Sequence, residues 1–71
     1  MKWSDVRSKS DIIEYAAQEG LEVKKISRTK YEISSKKGTA QITQSDQTID
    51  KGTRELWRFI LWSLGLPLGA L

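Results

Sequence analysis

The stretch LEVKKISRTKYEISSKKGTAQIT, residues 21–43, decides the fold. Its apolar residues return at every second position. Leu21 and Val23 alternate with Glu22 and Lys24. Tyr31 and Ile33 alternate with Lys30, Glu32 and Ser34. Ala40 and Ile42 alternate with Thr39, Gln41 and Thr43. A period of two marks strands with one buried face. The reading predicts a first strand from Leu21 to about Ser27, a second around Tyr31 and Ile33, and a third around Ala40 and Ile42. Lys36-Lys37-Gly38 is the turn between the last two, with Gly38 free to take positive φ. Connections this short give an antiparallel meander. Its inner face is Leu21, Val23, Tyr31, Ile33, Ala40 and Ile42. Its outer face is Lys24, Lys30, Glu32, Ser34, Gln41 and Thr43.

Outward from the meander the period changes to that of a helix. Ser10 to Glu19 reads as the first helix, with Ser8 or Ser10 as N-cap and Asp11 and Glu14 near the positive end of its dipole. Ile12, Ile13, Ala16 and Ala17 share one face, and Gly20 stands where a left-handed C′ residue is wanted. Residues 1–8 have no period: either the start is frayed, or Trp3 and Val6 cover an edge of the core. On the other side, the polar loop Gln44–Gly52 has Ile49 as its apolar anchor. A second helix is expected from about Arg54 to Leu64, with Thr53 as N-cap and Glu55 in the first turn. Gly65 and Pro67 end it. The whole is a single small domain, residues 1–71. It is α+β, a three-stranded antiparallel sheet with two helices on one face in the order α-β-β-β-α.

Composition removes many kinds of chemistry. With 71 residues, 38% hydrophobic and 30% charged, the chain has an ordinary globular mix but room for only a modest core. It contains no Cys and no His. Disulfides, thiolate or imidazole metal sites, Ser-His-Asp and Cys-His nucleophiles are therefore excluded. Asp46 and Asp50 share a loop, but a hard cation needs several more oxygens. No catalytic residue, cofactor or metal is expected. Lys2 is not followed by the apolar run of a signal peptide. The longest apolar stretch, Phe59–Leu71, is broken by Ser63, Gly65, Pro67 and Gly69, and falls short of the roughly 20 residues that span a bilayer. These features predict a cytoplasmic protein with no membrane partner.

Charge is unevenly spread. Residues 1–23 carry Lys2, Arg7 and Lys9 against Asp5, Asp11, Glu14, Glu19 and Glu22, a net of −2. Residues 24–37 carry Lys24, Lys25, Arg28, Lys30, Lys36 and Lys37 against Glu32 alone, a net of +5. The remainder balances. A cluster this basic attracts phosphate and gains by releasing its counterions. It also suits a merely solvated strand face. Lys51-Gly52-Thr53 opens a helix, where free N–H groups and the dipole favour an anion, but it lacks the glycine-rich order of a nucleotide loop.

The second helix has more apolar surface than one sheet can cover. At 100° per residue Leu56, Trp57, Ile60, Leu61 and Leu64 form the expected sheet-facing stripe. Phe59 and Trp62 fall outside it. Either Trp3 or the apolar tail, residues 66–71, folds back over them, or they belong to a protein interface with Leu66 and Leu68.

Two stretches resemble the HicA (YcfA-like) toxin family, small bacterial ribonucleases of double-stranded-RNA-binding-like fold that act on messenger RNA. Asp11-Ile12-Ile13-Glu14 through Glu19-Gly20-Leu21-Glu22-Val23 resembles the family's first helix, its closing glycine and the strand after it. Lys51-Gly52-Thr53, leading to Leu64-Gly65-Leu66, resembles its Lys-Gly-Thr helix. The resemblance implies the α-β-β-β-α order and an RNA-facing surface. The family's second strand opens on a Gly-Ser-His-His-like sequence that supplies the catalytic histidine. Here Arg28-Thr29-Lys30-Tyr31 stands in its place, and a Lys is a poor general base at neutral pH.

The leading expectation is a non-catalytic module that binds RNA or DNA through Lys24, Lys25, Arg28, Lys30, Lys36 and Lys37, joined by Lys51 and Arg54. The rival is a protein-interaction or inhibitor protein of the phage or mobile-element type, binding a protein partner or a second copy through Phe59, Trp62 and the tail. A third keeps a residual ribonuclease centred on Lys30.

Overall fold

Ser8 begins the first regular element. Its Oγ accepts from the Asp11 N–H (3.2 Å), while the Asp11 carboxylate takes the Arg7 N–H (2.9 Å). Two of the donors at the helix start are thus satisfied by side chains. The chain is described by a computed structural model, which covers residues 1–68. Helix α1 runs Lys9–Gln18. It ends as a Schellman turn: Leu21 N–H donates to Ala16 O, Gly20 N–H donates to Ala17 O, and Gly20 sits at φ +94°.

Three strands follow, β1 Glu22–Lys25, β2 Lys30–Ser35 and β3 Gly38–Thr43, in the antiparallel order β1-β2-β3. The first is shorter than its alternation suggests, stopping two residues before Ser27. The register sets Val23 beside Ile33 and Ile33 beside Ala40, and Tyr31 beside Ile42. These residues form the inner face; Ile33 is fully buried and Ile42 nearly so. Lys24, Glu32 and Gln41 form one cross-strand row on the opposite face. The loop after β3 returns past the start of α1, where Ser10 N–H donates to Ser45 O and Ile49 N–H to Arg7 O.

Helix α2 spans Lys51–Ser63. It starts three residues earlier than its sequence suggests, because Asp50 and not Thr53 is the N-cap: the Asp50 carboxylate accepts from the Thr53 N–H at 2.7 Å. Gly65, at φ +112°, closes it in a second Schellman turn. Both helices pack on the Ile33 face. They share one core of Val6, Ile12, Tyr15, Ala16, Ile33, Ile42, Trp57, Leu61, Leu64, Leu66 and Leu68.

Two details differ from the expected packing, and a third decides between the alternatives for residues 1–8. On α1 the buried side chains are Ile12, Tyr15 and Ala16, while Ala17 is exposed. On α2 the inward stripe is Trp57, Leu61 and Leu64, and Leu56 is 56% exposed. Residues 1–8 are held against the core. A 3-10 turn at Trp3–Asp5 leads to Val6, which is 1% exposed. The Trp3 ring meets Tyr15 edge-on at 5.6 Å. Trp3 and Val6 thus cover an edge of the core and leave Phe59 and Trp62 uncovered.

Candidate nucleic-acid interface

The basic residues expected to act together occupy three separate places. Lys24, Lys25, Arg28 and Lys30 gather where β1 turns into β2. All four are exposed, and among the described residues none forms a salt bridge. The hairpin is closed by Ile26 N–H and Ser27 N–H, both donating to Lys30 O. That closure holds the flanking cations on a defined backbone. Strand alternation divides them. Lys24 lies on the outer face beside Glu32, whereas Lys25 pairs with Tyr31 and shares its side of the sheet. The group surrounds the hairpin tip rather than paving one face.

Lys36 and Lys37 sit at the other end of β2. Lys36 follows Lys30 by six positions, about 20 Å of extended chain. Lys37 lines a shallow groove with Trp62, Ser63, Gly65, Leu66 and Pro67, beside the last turn of α2. A cation there complements the negative end of the helix dipole.

Lys51 and Arg54 belong to the first turn of α2, and they differ. Lys51 is exposed. Arg54 is half-buried and already engaged: its Nε donates to Val6 O (3.2 Å), a terminal nitrogen donates to Trp3 O (2.7 Å), and the guanidinium lies 5.2 Å from the Trp3 ring centroid. It tethers the N-terminal segment instead of facing solvent. The anion position at the start of α2 is likewise taken. Asp50 caps it, and the Thr53 backbone N–H holds the Asp50 carboxyl below its ordinary pKa. A phosphate at this end would have to displace a carboxylate of the same charge.

Two larger side chains near the hairpin lie on opposite sides of the sheet. Tyr31 is half-buried on the inner face, opposite Ile42, so it offers no stacking platform beside the outer-face lysines. Ile26, by contrast, is 46% exposed among the hairpin cations. The signal for it was present in the alternation: counting outward from Val23, position 26 falls on the same side as Lys24.

The residues expected at a protein interface also divide. Phe59 is 61% exposed and Trp62 48%, with ring centroids 5.9 Å apart. Leu66 and Leu68 are buried at 5% and 8% and complete the chain's own core. Arg58 helps to hold them there, donating from Nε to Leu68 O at 3.0 Å while lying 3.6 Å from Glu55. The tail therefore packs back as far as Leu68, passing Trp62 at the groove but leaving Phe59 and Trp62 exposed. Residues 69–71 lie outside the described residues.

Among the described residues no group of three or more acidic, His or Cys side chains is placed to hold a metal ion, and no helix is long and apolar enough to cross a membrane. Comparison with family models, curated proteins and solved structures gives no match.

Proposed function

We propose that the chain is a small, non-catalytic nucleic-acid-binding module of the cytoplasm whose working surface is the tip of the β1–β2 hairpin. The observation that carries this reading is the grouping of Lys24, Lys25, Arg28 and Lys30. Four exposed cations share one hydrogen-bonded hairpin; Glu32 stands across from Lys24, but none of the four forms a salt bridge among the described residues. Such cations can meet phosphate without first giving up a salt bridge. Lys51 is a secondary contact. Arg54 leaves the set because its donors serve Trp3 and Val6, and Lys36 and Lys37 form a separate positive end.

RNA is favoured over DNA on the resemblance to the HicA family, with which the α-β-β-β-α order is compatible. Binding without cleavage follows from the chemistry of the sequence: the position of the family's histidine holds Lys30-Tyr31. The test is fluorescence anisotropy of labelled duplex RNA, duplex DNA and single strands with the purified chain, at low and at physiological salt. Binding that weakens steeply with salt and fails in Arg28→Glu supports the reading. No binding of any of these probes at low salt overturns it.

A further inference from the structure

The outward face of α2 is apolar, with the Glu55 carboxylate near its start and the Lys37 amine near its end. Leu56, Phe59 and Trp62 are 56%, 61% and 48% exposed and recur every third position, so they form one continuous stripe. Glu55 stands at the N-terminal end of this stripe, about half exposed, with one carboxylate oxygen 3.6 Å from Arg58 of the same helix. At the C-terminal end Trp62 and Ser63 share a groove with Lys37. We propose that this face pairs two copies of the chain, antiparallel, about a two-fold axis beside Phe59.

The geometry of such an axis makes the face its own complement. It sets Phe59 on Phe59 and exchanges Leu56 with Trp62, because both lie three residues from the centre. It exchanges Glu55 with Ser63, and so brings Glu55 toward the partner's Lys37. The helix dipoles oppose in the same arrangement, which is favourable. A parallel pairing would instead set Glu55 against Glu55 and Lys37 against Lys37. An isologous contact needs this self-complementarity, and every contact in it occurs twice.

The size of the patch sets the strength. Three large side chains about half exposed contribute roughly 300 Å² per chain. A standard interface needs about 800 Å² per partner. Glu55, Ser63 and Lys37 add a rim, but the contact stays small, so the expected dimer is weak, with Kd on the order of micromolar or above. This pairing does not depend on nucleic-acid binding; the basic hairpin takes no part in it.

Sedimentation equilibrium of the full chain, without nucleic acid, tests it. The expected result is a monomer–dimer equilibrium that Phe59→Glu weakens at least about tenfold while the circular dichroism spectrum is unchanged. Because each ion pair occurs twice, Glu55→Lys alone should weaken pairing about fivefold, as should Lys37→Glu. The double variant Glu55→Lys/Lys37→Glu should recover most of that loss. A monomer up to roughly 1 mM, where even weak complexes form, overturns the proposal. So does a dimer indifferent to Phe59→Glu, or a double variant no better than the singles. A monomer that instead cosediments with phosphatidylglycerol vesicles assigns the face to a lipid surface and overturns it too.

Discussion

The β1–β2 hairpin and the first turns of α2 both carry basic side chains, yet the structure uses them in opposite ways. On α2, Arg54 spends its donors on the carbonyls of Trp3 and Val6, and Arg58 reaches Leu68 O and Glu55. These arginines fasten the two ends of the chain to the core. In the hairpin, Lys24, Lys25, Arg28 and Lys30 are exposed and serve no such purpose. The difference teaches that charge in a sequence does not by itself mark a binding surface. What matters is whether folding has already used the donors.

The largest expected effect comes from the hairpin. Converting Lys24, Arg28 and Lys30 together to Glu should reduce nucleic-acid affinity at least about a hundredfold, by losing phosphate contacts and adding repulsion. The melting temperature should hardly move, since exposed positions free of such contacts usually change stability by less than about 0.5 kcal/mol. A large loss of stability would erase the contrast between the two regions.

Arg54 should give the mirror image. Arg54→Ala takes its donor from Val6 O, one of two donors from Trp3 O, and the cation from the Trp3 ring. A cost of about 1–3 kcal/mol is expected, read in urea denaturation, with affinity changed little. A drop in affinity with stability intact would move Arg54 back among the phosphate contacts.

A third test lies at alkaline pH, beneath the tether. Burial, with a smaller contribution from Glu19, raises the pKa of Tyr15. Its folded pKa exceeds its unfolded one, so its contribution is fully present below about pH 10 and lost as pH rises through the folded value. Stability followed from pH 9 upward should fall more steeply in the wild type than in Tyr15→Phe. Equal slopes would show that the Trp3–Tyr15 contact is not closed to ionisation.

The smallest effect concerns Asp50. Its folded pKa is depressed, so its contribution is present above about pH 4 and fades as pH falls through the folded value. Asp50→Asn retains a capping side chain but should flatten this acid limb. Affinity should change little. A marked gain in affinity would mean that phosphate prefers the α2 start to the hairpin.

Much of this contrast was legible in the sequence, and some was not. The strands and their inner row were plain because a period of two has few competing explanations. The first helix announced itself through Ser8 and Gly20. The start of the second did not, because Asp50 and Thr53 are both good caps and the residues between them favour neither. The exposure of Leu56 has a separate cause: with Arg54 turned toward Trp3, Leu56, about 200° away around the helix, turns out. The contact responsible spans 51 residues, and no local pattern encodes it. The separation of Lys36 and Lys37 from the hairpin tip has a simpler reason, since neighbours in sequence lie at opposite ends of one strand. The exposed pair Phe59 and Trp62 was visible as apolar surface in excess of what the sheet can cover. That Leu66 and Leu68 go instead to the core depended on Arg58 and Gly65 turning the tail.

The central claim is that the hairpin cations are the ones that meet phosphate. The most direct measurement is the slope of log K against log salt for duplex RNA, compared between the wild type and a variant with Lys24, Lys25, Arg28 and Lys30 all changed to Ala. The account predicts a wild-type slope of roughly −3, falling to about −1 or to no measurable binding in the variant. Equal slopes in the two proteins would contradict it, and would place the phosphate contacts elsewhere on the molecule.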